Sequence, residues 1–219
     1  MTAHIILIRH GETDWNAEGR IQGHLPIPLN ARGAAQAEAL ALHLREVAFD
    51  AIYSSDLLRA RQTAEMIAEL SGHEIQDDRR LREWDLGILT GMLRVEADRD
   101  QPRAAKIYRN YLVDQVIPDG ESIRQRFERV THAVADIAAQ HPGETVLVVS
   151  HGGPLGDCYR RALGSGVEER MKVRLFNASL NRILIDGPDW ALESWGEINH
   201  LSAIGSLPNW EGRSESSSV

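Results

Sequence analysis

The sequence predicts an α/β fold, with a mostly parallel central sheet covered by helices on both faces. Three observations predict it. Short apolar runs, "IILI" near the start and "TVLVV" late in the chain, have the length and character of strands buried on both faces. Between them lie amphipathic stretches of helical length, rich in Ala and Leu. Neither an internal repeat nor a domain linker interrupts this alternation, so one domain is expected over 1–210, with "EGRSESSSV" and its serines, 211–219 in the main, as a flexible tail.

Taken in order, His4–Ile8 reads as a short buried strand. Asn30 is placed to cap the helix "ARGAAQAEALALHLREV", because its short amide can accept from a free N–H of the first turn. "DAIYSS" is a second strand, followed by the helix "DLLRARQTAEMIAEL" with Ser55 or Asp56 at its cap. The stretch 79–119 is mixed in charge and irregular in period, and it yields no assignment. Ser122 caps a long helix whose Ile123, Phe127, Val130, Val134 and Ile137 share one face, and Pro142-Gly143 ends it. "TVLVVS" is a third buried strand and "GPLGDCYRRALG" a helix after it. "NRILI" and "ALESW" flank Asp186-Gly187-Pro188 as strand, turn and strand.

Composition narrows the function. The chain has 219 residues, 42% hydrophobic and 26% charged, which are globular values. A net charge of −8 argues against broad nucleic-acid or anionic-membrane binding, which needs a basic face. A single cysteine, Cys158, excludes an intramolecular disulfide, and no apolar stretch is long enough to span a membrane. With no secretory pattern at the start, a cytoplasmic protein is expected.

Two motifs carry chemistry. "IILIRHGE" and "VLVVSHGG" share one pattern: apolar strand, polar residue, His, Gly. In an open α/β sheet ligands bind beyond the carboxyl ends of the strands, so neighbouring strands would bring His10 and His151 to one crevice. The glycines allow a ligand or another chain segment close to the backbone. The other seven histidines have a plainer reading, as helix-face, helix-end or surface residues, with His24 near enough to be a rim residue. A metal site is not expected. The sequence lacks an HExxH pair, a second cysteine and a tight His–carboxylate cluster, and arginine beside histidine repels a cation.

Arginine favours an anion instead, since its planar fork of donors matches phosphate. Arg9 adjoins His10, and Arg59 lies in the first turns of a helix that follows a strand end, whereas Arg61 suits a solvated face. Between guanidinium groups an imidazole stays neutral and nucleophilic. It can take a phosphoryl group as phosphohistidine, with the arginines and His151 balancing charge on the equatorial oxygens. The leaving alkoxide needs a proton, and Glu83 in "RLREWDLG" is the candidate donor. Burial beside Trp84 is expected to keep its carboxyl protonated.

The stretches "LIRHGETDWN", "QGHLPIPLNARGAAQA", "YSSDLLRARQTA", "LREWDLG", "IPDGES", "VVSHGG" and "NASLNRI" together resemble the histidine phosphatase superfamily, in its phosphoglycerate-mutase-like branch. The resemblance runs in order to about His200. It implies a three-layer α/β/α sandwich that requires no metal or other cofactor. It implies His10 as the phosphorylated nucleophile, Arg9, Arg59 and His151 as the rest of the phosphate pocket, and Glu83 as proton donor. Asn16, Gln22 and Gly152 match positions that line phosphate or substrate. One departure is visible: "LGILTGM" places Thr90-Gly91 where many members carry a further glutamate.

Within the branch, "QGHLPIPLNARGAAQA" and "IPDGES" are more similar to the small broad-specificity phosphatases than to the glycolytic mutases. A phosphoric monoester hydrolase of the histidine acid type, acting on small-molecule phosphate esters, is therefore expected. The alternative is mutase-type phosphoryl transfer, favoured if Lys106 and Arg109 of "KIYRNY" turn inward toward a carboxylate, although Asn110 stands where a second arginine would fall. A non-catalytic phospholigand-binding module is the third reading. Substrate identity and oligomeric state are not encoded in any motif.

Overall fold

A computed structural model describes residues 1–205. The end of the expected domain, 206–210, and the expected tail, 211–219, lie outside the described residues. In chain order the elements are β1 (Ala3–Arg9), α1 (Asp14–Glu18), α2 (Ala31–Leu44), β2 (Ala51–Ser54), α3 (Leu58–Ser71), β3 (Ile75–Asp77), α4 (Arg94–Asp100), α5 (Pro102–Asn110), α6 (Ile123–Gln140), β4 (Thr145–Ser150), α7 (Gly152–Ala162), β5 (Leu180–Asp186) and β6 (Asp189–Glu197). The strands form one sheet in the order β3-β2-β4-β1-β5-β6. The pairings among β3, β2, β4 and β1 are parallel, and β5 and β6 complete the sheet antiparallel.

The apolar run of β1 is explained by layers on both sides. Ile5 and Leu7 pack with Val130, Val134 and Ile137 of α6 and Leu155 of α7. Ile6 and Ile8 pack on the other face, with Leu40 and Leu44 of α2 and Ala64 and Ile67 of α3. A central strand so covered cannot alternate with polar residues, because each would lose water without gaining a partner. The three-layer α/β/α sandwich is thus the observed architecture.

That layering sets the site. In β1 and β4, Arg9 lies opposite Ser150, so His10 and His151 leave the sheet side by side. Beyond β1 the chain continues to α2 on one face, and beyond β4 to α7 on the other. The two strand ends part in opposite directions, which opens a crevice between them.

Two expectations change in detail. Helix α3 begins at Leu58, and neither Ser55 nor Asp56 caps it. The Ser55 hydroxyl contacts His151 Nε2 at 2.8 Å and Asp56 is held by Arg82 at 2.5–2.6 Å, so both side chains are committed elsewhere. The unassigned stretch 79–119 is well structured: two 3₁₀ turns, Arg79–Leu81 and Gly87–Leu89, precede α4 and α5. These elements gather around Trp84 as a third core, with Leu89, Ala97, Ala104, Ile107 and Ile117. The element and cap expectations for α2 (Asn30) and α6 (Ser122) hold, with Asn30 accepting from Gly33 N and Ser122 from Gln125 N.

Candidate active site

His10 follows the last residue of β1 and is almost fully buried. Its Nδ1 lies 2.6 Å from the Gly11 carbonyl oxygen. A carbonyl only accepts, so Nδ1 carries the proton and the lone pair of the neutral ring sits on Nε2. The ring's pKa is well below the ordinary 6.5, first because burial penalises the cation and then because Arg59 and Arg9 repel it. His151 is equally buried, its ring centroid 5.1 Å from that of His10. Burial first, and then the charge of Arg59, lowers its pKa too.

The loop that carries His10 is clamped from several sides. Gly11 N donates to Thr63 Oγ1 at 3.0 Å, and Asn177 Nδ2 donates to the carbonyls of His10 and Gly11 at 3.0 and 3.3 Å. Gly11 and Gly33 are required by close backbone approach. A Cβ on Gly33 would lie 1.9 Å from Glu12 O, and one on Gly11 2.5 Å from Gly33 O. The segment for which Gly11 makes room is therefore the start of α2.

Arg59, on the first turn of α3, is 1% exposed and donates to the carbonyls of Gly23 and Leu25. Burial brings its pKa down to about 10, so it remains a cation at neutral pH, with Glu83 supporting and Arg9 opposing its charge. Arg9 donates to Leu175 O at 2.8 Å. Glu83 is half-buried, and its carboxyl is not in the apolar setting expected for it. It accepts from Trp84 N at 2.8 Å and from Gly153 N, in the first turn of α7, at 3.2 Å. The two amides orient the carboxyl, and the second is one of the N–H groups left free at a helix N-terminus.

These residues converge on one partly open cavity of ≈ 100 Å³, lined among others by Arg9, His10, Asn16, Gln22, Arg59 and Glu83. Two expected residues sit differently. His151 packs against the His10 ring and does not line the cavity, and Gly153 lines the wall where Gly152 was expected. His24 does not line it either; its Nε2 lies 2.7 Å from Glu83 O and so holds the backbone of that residue. The departure at Thr90-Gly91 places Thr90 against Gly23, where a Cβ on the glycine would meet Thr90 Oγ1 at 2.4 Å. Arg109 is exposed and paired with Asp98 at 2.7 Å, and Lys106 is exposed as well, so neither turns toward the cavity.

Sequence reasoning assigned no role to Asn177, although "NASLNRI" contributed to the resemblance. Nor did it assign one to Trp15, Arg20, Arg94, Tyr108 or Arg126, which complete much of the wall. Arg94 and Tyr108 come from the unassigned stretch, and Arg126 from a helix read only for its apolar face. Among the described residues no group of three or more His, Cys, Asp or Glu is placed to hold a metal ion, and no helix is long and apolar enough to cross a membrane.

Residues 5–198 match the model of the histidine phosphatase superfamily (branch 1), and the chain belongs to that family. Phosphoglycerate mutase-like protein 4 of Arabidopsis thaliana is 41% identical over 214 residues, covering 96% of this chain and 92% of its own. The metal-independent phosphoserine phosphatase of Arabidopsis thaliana is 40% identical over 206 residues, covering 93% of this chain and 85% of its own. The structure of YhfR from Bacillus stearothermophilus superposes with a TM-score of 0.84 at 31% identity, over 91% of this chain and all of that one.

Proposed function

We propose that the chain is a phosphomonoesterase that hydrolyses small-molecule phosphate esters through a phosphohistidine at His10. The observation that carries this reading is the neutral His10 ring, its Nε2 lone pair presented among the buried cations Arg9 and Arg59, with Glu83 on the same cavity. Nε2 attacks phosphorus as the bond to the ester oxygen breaks, and Glu83 gives that oxygen its proton. Arg9 and Arg59 take up charge on the equatorial oxygens, while His151, held by Ser55, packs against the His10 ring. Asn16 and Gln22 line the substrate side, and Gly152 contributes its place in the tight turn into α7. Water then attacks the phosphohistidine, Glu83 takes the proton, and phosphate leaves.

A depressed His10 pKa keeps the nucleophile neutral in mildly acidic solution, which supports the acid-type class. Among small esters, phosphoserine is a candidate by analogy with the plant relative. The mutase alternative has less support, since the inward turn of Lys106 and Arg109 on which it depends is not found. The lone cysteine agrees with the cytoplasmic setting expected from the sequence.

Phosphorus NMR tests the assignment. With 3-phosphoglycerate and a bisphosphoglycerate primer, the expected products are inorganic phosphate and glycerate, with little 2-phosphoglycerate. Rapid isomerisation with negligible phosphate release would replace the phosphatase by the mutase.

A further inference from the structure

Glu83 stands where no regular element holds the chain. Residues 82–86 belong to neither helix nor strand and run between the 3₁₀ turns Arg79–Leu81 and Gly87–Leu89. Trp84 N and Gly153 N orient its carboxyl, but they can do so only if the backbone beneath it keeps its place. Two side chains from separate parts of the chain meet at its carbonyl oxygen. His24 Nε2 lies 2.7 Å away and donates to it, since a carbonyl only accepts. Arg129, from α6, donates to the same oxygen through Nη2 at 3.3 Å.

Arg129 holds more than this one atom. Its Nη1 donates to Arg80 O at 2.7 Å and to Arg82 O at 2.9 Å, so one guanidinium gathers three carbonyls of the stretch 80–83. The rest of its fork takes the Glu121 carboxylate, with Nε on Oε2 at 3.1 Å and Nη2 on Oε1. Glu121 closes the far side: Oε1 accepts from Asp85 N at 3.1 Å, and its carbonyl accepts from Trp84 Nε1 at 2.9 Å. The residues before and after Glu83 are thus tied to one partly buried ion pair. A planar fork of five donors suits that task, whereas a lysine ammonium is a point charge with three. Neither Arg129 nor His24 lines the cavity, so neither is placed to grip the substrate.

We infer that Arg129, seconded by His24, is the positioning residue of the proton donor, a role that rests on the reading of Glu83 as that donor. A misplacement of about 1 Å, caused by a change outside the chemistry, can cost on the order of 10²-fold in rate. The loss belongs to esters that need the proton, and an ester with a good leaving group escapes most of it.

The test measures kcat and KM with the full chain on glycerol 3-phosphate, a poor leaving group, and on 4-nitrophenyl phosphate, a good one. Arg129→Ala should lower kcat for the alkyl ester by roughly 10- to 100-fold, with a much smaller loss on the aryl ester and little change in either KM. His24→Leu should move the alkyl-to-aryl ratio in the same direction. Circular dichroism establishes that each variant is folded; if Arg129→Ala is not, Arg129→Lys, which keeps the charge and gives up the fork, decides in its place. Equal losses on both esters in the folded Arg129 variant would overturn the positioning role, and a ratio unmoved by His24→Leu would overturn the part given to His24. Glu83→Gln is the control. Equal losses on both esters in that variant would overturn the proton-donor reading itself, and the positioning role with it.

Discussion

At His10, one carbonyl decides which nitrogen can react: Gly11 O accepts from Nδ1–H, which leaves the ring's lone pair on Nε2, the proposed nucleophile. That Arg9, His10 and Arg59 line one cavity was legible because the strand-end pattern and the chemistry of phosphate single out those residue types. Glu83 was legible as a carboxyl in the right place, but not in its surroundings, since its donors Trp84 N and Gly153 N are supplied by a distant turn as well as its own. A proton donor matters most when the leaving group is a poor one. Glu83→Gln should cut alkyl phosphate turnover by roughly 10²–10⁴-fold, and aryl phosphate turnover much less. Equal losses in steady-state assays of both substrates would make Glu83 a positioning group. Arg94, Tyr108 and Arg126 were not legible at this scale, because their direction is set by Trp84 and Asp157, which only tertiary packing brings near.

Between elements, the strongest constraint is the contact of α2 with the loop after β1. Asn30 caps α2 by accepting from Gly33 N at 2.8 Å, and Gly33 in turn presses on Glu12 O. The apolar run of β1 and the cap residue foretold both elements, but not that they touch. Gly33→Ala must displace the Glu12 backbone, so it should cost roughly 1–3 kcal/mol of stability by overpacking. It should also lower kcat, since the displaced loop carries His10. Urea denaturation with wild-type stability, or an unchanged kcat, would show that the loop yields without disturbing the site. The helices α4 and α5 were illegible for a different reason. With 7 and 9 residues they are too short for a clear period, and their buried residues join the third core around Trp84.

Over the whole molecule, the layered α/β architecture was legible from the alternation of strands and helices, but the strand order was not, and the antiparallel edge formed by β5 and β6 appeared only as a hairpin signal. Burying two histidines at the sheet's centre has a cost that depends on pH. Both have native pKa values well below 6.5, so below that pH the unfolded chain binds protons that the folded one does not. The stability is fully present above pH 6.5 and is lost as the pH falls toward the native values. The urea midpoint should therefore be lower at pH 5.5 than at pH 7.5, and His10→Asn should reduce that difference; an unchanged difference would remove His10 from the linkage. The central claim is that phosphoryl groups pass through His10 to water. Rapid quenching with radiolabelled phosphate ester, under non-acidic denaturing conditions, tests it most directly. The expected result is an acid-labile label on His10 that appears before inorganic phosphate, is released as phosphate in a chase, and is absent in His10→Ala together with nearly all turnover. Phosphate release at wild-type rate by His10→Ala, or a label on another residue, would contradict it.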